Sequence, residues 1–311
     1  MHIAQIGTGR VGRPTAYTIM CSKIADELTL CDIKPHLAAA FAEELKHVTS
    51  SIGLDIEINS CEKAEDISGA DIILISAGQP RSPGVKMSRR DLAVQNGEII
   101  KQVSEDTVSG NSGAKYIVIT NPVDAMAMVC KKFTNASFVI STGTNLESLR
   151  FRSKVAQTLG VPVSQVSGWI GGEHGDAAIP LWSTTKVFGL TVEEYALSKN
   201  LIFLKQEIIS YVKEISKFII ENIGGTEYGP AASFRDITRA IANNADEILP
   251  VSFPIKFPEI HEPTFVGVPV HLSSTLGSSL YNSLSENERD GIVEAAKTIY
   301  QTYITAIENL E

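Results

Sequence analysis

The sequence predicts an α/β chain in which a doubly wound parallel sheet is followed by a second, α+β domain. Three observations carry the prediction. Six short apolar segments between residues 2 and 141 alternate with segments of helical periodicity, the pattern of parallel strands joined by crossover helices. Two of them, residues 71–76 and 115–120, are nearly continuous apolar runs, as expected of strands covered on both faces. After Thr142-Gly143-Thr144 the alternation stops, and helices and strands mix without a repeating order, which places a boundary near residue 143 and gives domains 1–143 and 144–311. A chain of 311 residues with 43% apolar content can fill two such cores.

The first strand, residues 2–6, runs straight into Gly7-Thr8-Gly9-Arg10-Val11-Gly12, and a helical pattern follows over residues 14–21. The next strand, residues 27–32, ends in Asp32, 20 residues past Gly12. Strand, glycine turn, helix and a later acid form the pattern of a Rossmann dinucleotide site: the glycines let backbone amides approach a pyrophosphate at a helix N-terminus, and the acid accepts from ribose hydroxyls. Asp32 would repel a 2′-phosphate, so NAD is favoured over NADP. Residues 35–51 form a helix with Leu37, Phe41, Leu45 and Val48 on its packed face, and short strands follow at residues 56–58 and 71–76. The segment 79–91 holds two prolines, Gly84 and the arginines Arg81, Arg89 and Arg90, and reads as a loop of lid type. A helix over 92–108 leads to the strand 115–120, which closes on Asn121-Pro122 at the end of the sheet where open α/β folds bind ligands. A helix over 124–132 and a strand over 138–141 complete the first domain. In the second, helices are expected over 145–159, 191–223, 231–243 and 286–309, with strands near 248–253 and 264–270 and antiparallel strands before residue 191.

Twenty-seven basic against 36 acidic residues give a net charge of -9, which argues against nucleic acid or an anionic membrane as partner. The four cysteines, Cys21, Cys31, Cys61 and Cys130, include no Cys-x-x-Cys pair, so they are read as reduced and structural, with neither a metal site nor a disulfide framework. The first strand begins at residue 2 and no apolar run reaches the length of a membrane span, so a cytoplasmic protein is expected.

The chemistry centres on Trp169-Ile-Gly-Gly-Glu-His-Gly-Asp176. Histidine is the side chain whose ordinary pKa, about 6.5, suits proton transfer near neutrality, and Gly171, Gly172 and Gly175 leave room around His174 for a ligand. Arg81, Arg89, Arg90 and Arg150 are the candidate anion binders, because guanidinium pairs bidentately with carboxylates. A substrate with two carboxylates needs two such groups.

Taken together and in order, Gly-x-Gly-x-x-Gly, Asp32, Ala77-Gly78-x-Pro-Arg-x-Pro-Gly84, Arg89-x-Asp-Leu92, Thr120-Asn-Pro-Val-Asp124, Asn145-Leu-x-Ser-x-Arg-Phe-Arg152 and Gly172-Glu-His-Gly-Asp176 resemble the malate and lactate dehydrogenase family over essentially the whole chain. Tyr228-Gly-Pro-Ala-Ala-Ser233 and Leu249-Pro-Val-Ser252 also match the family's second domain. The resemblance implies that His174 is the acid–base and that Arg150 clamps the C1 carboxylate. It implies further that Arg89, kept in the Arg-x-Asp-Leu frame, polarises the C2 oxygen and that Asn121 hydrogen-bonds the same oxygen. Cofactor contacts are implied for Gly7, Gly9, Arg10, Val11, Gly12, Asp32, Ala77, Gly78, Asn96, Thr120 and Asn121. Arg81 stands where the malate branch carries arginine and the lactate branch glutamine, so it would bind the second carboxylate of malate or oxaloacetate; with pyruvate it would face a methyl group inside a closed site, an unpaired charge. Gly229 would leave space for the larger side group. Two departures from the family pattern stand out: Glu147 replaces the aspartate that pairs with the histidine, 27 residues before it, and the lid is longer. The expectation is an NAD-dependent malate dehydrogenase acting on a small dicarboxylate, assembled as a homodimer or homotetramer. The alternatives are an L-lactate or broader 2-hydroxy-acid dehydrogenase and a non-catalytic NAD-binding sensor.

Overall fold

In the computed structural model of the chain, residues 1–79, 89–308 and 310 are described, residues 89 and 90 by their backbone alone. Arg81, the side chains of Arg89 and Arg90, and the lid between them lie outside the described residues. The first half runs β1 (His2–Ile6), α1 (Gly12–Cys21), β2 (Glu27–Cys31), α2 (Leu37–Ile52), β3 (Glu57–Cys61), β4 (Ile72–Ile75), α3 (Arg89–Val108), β5 (Lys115–Val118), α4 (Val123–Thr134) and β6 (Val139–Ser141). These six strands are parallel and lie in the order β3-β2-β1-β4-β5-β6. The chain therefore winds outward from β1 in one direction and from β4 in the other, and the loops after these two strands diverge to leave a crevice at the strands' C-terminal edge. Alternation within single strands shows why both faces are covered. Ile73 and Ile75 of β4 pack into one core with α3 and α4, while Ile72 and Leu74 pack into the other with α1 and α2.

The second half runs α5 (Asn145–Leu159), β7 (Val166–Ser167), β8 (Ile170–Gly172), β9 (Ala178–Pro180), β10 (Lys186–Val187), β11 (Leu190–Thr191), α6 (Val192–Ser198), α7 (Lys205–Ile223), α8 (Tyr228–Ala242), β12 (Glu247–Ile255), β13 (Thr264–Leu272), β14 (Leu276–Ser279) and α9 (Glu286–Ile307). Three of its strands, β7, β10 and β11, form a small antiparallel sheet of their own, while others extend the main sheet. β12 joins β6 antiparallel through the pair Ser252 and Ser141, β13 runs alongside β12, and Gly267 of β13 pairs with Gly172 of β8. The parallel sheet is thus prolonged by antiparallel strands to the glycine stretch that precedes His174. Among the described residues no helix is long and apolar enough to cross a membrane.

One expected element is corrected. The helix anticipated over 191–223 is two helices, α6 and α7. Asn200 turns left-handed (φ 54°), and the amides of Asn200 and Leu201 close on the carbonyls of Leu197 and Ala196 at 3.1 and 2.9 Å, a Schellman stop. The apolar pattern of Leu197, Leu201 and Leu204 reads through that stop, so periodicity alone did not show it.

α5 is fixed by Phe151, fully buried with its ring 5.0 Å from that of Trp182 in an edge-to-face contact. Because α5 also carries Glu147 and Arg150, its packing sets the position of both. Phe151→Ala is expected to destabilise the protein by about 3–5 kcal/mol, read as a lower urea midpoint at unchanged slope; a loss under about 1 kcal/mol would show that α5 is held by something else.

Candidate active site

The glycine turn after β1 is closed too tightly for side chains. A Cβ on Gly12 would lie 1.9 Å from the Gly7 carbonyl oxygen, and one on Gly7 would lie 2.6 Å from the Ala77 nitrogen. Gly9, by contrast, has open space around it, where a phosphate can approach the start of α1. Asp32, just past the end of β2, is held against this turn: its Oδ2 accepts from the Thr8 amide at 2.7 Å and the Thr8 hydroxyl at 3.1 Å, and its Oδ1 accepts from the Lys34 amide at 3.0 Å. A tight turn with one open face beside a fixed carboxylate suits a dinucleotide with free ribose hydroxyls.

The other expected cofactor residues gather around the same edge. The Thr120 hydroxyl donates to the Ala77 carbonyl at 2.7 Å, and Gly78 lies on the surface with Thr120 behind it. Asn96 is buried, and its amide is engaged with protein: Oδ1 accepts from the Gln79 amide at 2.7 Å and Nδ2 donates to the Asn121 carbonyl at 2.6 Å. It braces the loop after β4 against the loop after β5. Arg10 extends from the glycine turn to Glu227, 2.7 Å away, ahead of α8.

The opposite wall of the crevice comes from α5 and the glycine stretch. His174, Asn121, Val11, Leu146, Thr226, Pro230 and Phe234 line one pocket. A Cβ on Gly229 would touch only Leu146, at 3.3 Å. Glu147 is buried in the first turn of α5, with Oε2 3.1 Å from His174 Nδ1 and Oε1 3.5 Å from the Arg150 guanidinium. One carboxylate therefore spans the imidazole and the guanidinium, using the reach of its extra methylene. Burial alone would lower the His174 pKa, but the Glu147 charge and hydrogen bond, helped by Asp124, outweigh it and raise the pKa to about 9. Burial would raise the pKa of Glu147, and the His174 and Arg150 charges reverse this and hold it below the usual carboxylate value. Arg150 is pulled down from its ordinary value by burial, against the opposing effect of Glu147. A protonated imidazole on the pocket wall, with a guanidinium held by the same carboxylate, is equipped to bind an organic anion and to exchange a proton with it.

The structure also brings in a residue to which the sequence reading gave no role. Asp124 is 3% exposed, and its carboxylate receives hydrogen bonds from Ser141, Ser252 and the His174 amide. The available signal was an acid in the first turn of a helix whose first two turns are otherwise apolar.

Comparison with known proteins agrees with this architecture. Residues 1–138 match the lactate/malate dehydrogenase NAD-binding domain, and residues 144–309 match the α/β C-terminal domain of the same family. A malate dehydrogenase of Sulfolobus acidocaldarius is 39% identical over 99% of this chain and 98% of its own length. An L-lactate dehydrogenase of Halalkalibacterium halodurans is 31% identical over 96% of this chain and 94% of its own. Among solved structures, Plasmodium falciparum malate dehydrogenase in complex with NADH superposes with a TM-score of 0.89 at 26% identity, covering all of both chains. A lactate dehydrogenase from a deep-sea metagenome gives 0.91 at 27% identity over 98% of each. The chain belongs to the lactate/malate dehydrogenase family and is an NAD-dependent oxidoreductase.

The Asp32 geometry makes a direct prediction. Asp32→Ala removes the clamp on Thr8 and the expected ribose acceptor, so NADH is expected to bind at least about tenfold more weakly and any advantage over NADPH to shrink. Fluorescence titration with the two cofactors checks this, and an unchanged preference would remove Asp32 from cofactor selection.

Proposed function

We propose that the protein is a malate dehydrogenase, which interconverts (S)-malate and oxaloacetate with NAD in the cytoplasm as a homodimer or homotetramer. The observation that carries the reading is the Glu147 carboxylate shared between His174 and Arg150, 3.1 and 3.5 Å away. It couples a proton carrier to a guanidinium that can clamp a carboxylate, the pair of functions a 2-hydroxy acid needs. Residues 1–143 would hold the cofactor and residues 144–311 most of the substrate machinery. Sequence supports malate over lactate, since Arg81 is available to a second carboxylate, and relatives named malate dehydrogenase are 39% identical where those named L-lactate dehydrogenase are 30–34% identical.

In the direction of oxidation, Arg150 and Arg81 hold the two carboxylates of malate, and Arg89 and Asn121 hold its C2 oxygen. Neutral His174 takes the hydroxyl proton on Nε2, while Nδ1 keeps its hydrogen bond to Glu147, which stabilises the imidazolium as it forms. NAD, which the glycine turn and Asp32 would hold, would supply the acceptor for the hydride that leaves C2. In reduction, protonated His174 returns its proton to the C2 oxygen. Because the free protein holds that proton up to a pH of about 9, the site is set to receive a keto acid at neutrality. Closing water out of the crevice would strengthen each of these charge interactions.

The test is the specificity ratio of Arg81→Gln. With NADH, kcat/KM for oxaloacetate should fall about 10- to 100-fold, the worth of a charge-assisted pair, while that for pyruvate holds or rises. Equal loss on both acids would refute the second-carboxylate role and favour a broader 2-hydroxy-acid enzyme. Failure of the parent protein to oxidise NADH with either acid would leave the sensor reading in its place.

A further inference from the structure

Asp124 is a buried carboxylate that the proton and hydride steps do not use. Its Oδ1 accepts from the Ser141 hydroxyl at 2.9 Å and the Ser252 hydroxyl at 2.6 Å, the two residues registered opposite each other where β6 meets β12. Its Oδ2 accepts from the backbone N–H of His174 at 2.9 Å. Ser141 is itself fixed, since its oxygen accepts from the Gly143 amide at 3.1 Å. A buried carboxylate is costly unless donors surround it, and here three segments each supply one. Most other residues of α4 are apolar and buried, so an apolar side chain at 124 would meet the needs of packing. What the acid adds is geometry. The peptide of His174 is flanked by Gly171, Gly172 and Gly175, which favour a flexible backbone, so it benefits from being anchored. Two carboxylates from two helices anchor it: Asp124 on α4 holds the backbone and Glu147 on α5 holds Nδ1. Asn121 lies three residues before Asp124, so the start of α4 places both groups expected to meet the substrate oxygen.

We propose that Asp124 is a positioning residue for proton transfer: seated on Ser141 and Ser252 at the seam of β6 and β12, it clamps the His174 peptide and sets where the imidazole stands relative to Asn121 and the C2 oxygen. The proposal rests on His174 being the acid–base. Misplacing a reacting group by about 1 Å costs on the order of 100-fold in rate, so Asp124→Ala should lose about 10- to 100-fold in kcat for oxaloacetate reduction. NADH binding stoichiometry and affinity should stay within about twofold, because the glycine turn is untouched, and KM for oxaloacetate should change less than about threefold. Asp124→Asn should recover kcat to within about fivefold of the parent, because its amide oxygen can accept from the His174 N–H once its NH2 faces the two serine hydroxyls as acceptors. Asp124→Val fills the space without an acceptor, and is read in the same way if the alanine variant does not fold. The proposal is overturned if the alanine or valine variant keeps kcat within twofold, if kcat falls only in step with NADH binding stoichiometry, or if asparagine is no better than alanine. His174→Asn, measured alongside, separates the two claims: if it retains turnover, the acid–base assignment itself is wrong.

Discussion

Everything in the pocket depends on one part-buried pair, the buried Glu147 with His174, 3.1 Å apart. Bringing a carboxylate and an imidazole out of water costs several kcal/mol per charge, and their mutual attraction offsets this only when geometry and additional partners are good. The chain supplies those partners: Arg150 on the far side of the same carboxylate, and Asp124 behind the His174 peptide. The outcome is an imidazole on the pocket wall whose preferred state at neutrality is charged, with a guanidinium held by the same carboxylate. A site of that polarity attracts an organic anion before any chemistry begins. The same negative partner that keeps the proton on His174 stabilises the charge formed when the ring accepts one.

The fold's contribution is to bring these groups from distant parts of the chain to one edge. Asp32, Asn121 and Asp124 follow parallel strands at their C-terminal ends, where the winding reversal opens the crevice. Glu147 and Arg150 come from the helix directly after the last of those strands. His174 arrives by a longer route, on a hairpin that is tied to the main sheet by Gly172 against Gly267 and, through β13 and β12, by Ser252 against Ser141. A continuous sheet between the cofactor crevice and the acid–base loop is stiffer than a hinge between two separate bodies. Asp124 lies on the seam where its two parts join.

Much of this was legible in the sequence because it rests on local rules. Six apolar segments spaced by helical patterns specify a parallel sheet, and Gly-x-Gly-x-x-Gly between a strand and a helix specifies a tight turn for which only glycine has room at Gly12. What the sequence did not disclose depends on contacts between residues far apart in the chain. Nothing near Asp124 shows that its donors are Ser141, Ser252 and the His174 amide, 17, 128 and 50 residues away. The double use of Glu147 is likewise a matter of side-chain reach, visible only once α5 and the glycine loop are packed together. The Asn200 stop was missed for the opposite reason, since a local backbone event was masked by an apolar period that runs through it.

The central claim is that Glu147 sets the charge of His174, and an NMR titration of the labelled imidazole in the parent protein and in Glu147→Gln measures it directly. With the carboxylate in place, the ring should titrate at about 9, giving up its proton only as the pH rises through that value. Without it, burial is opposed only by Asp124, and the midpoint should drop by more than one unit. A parent ring that titrates near the ordinary value of about 6.5, or a midpoint that the glutamine leaves unmoved, would contradict the account.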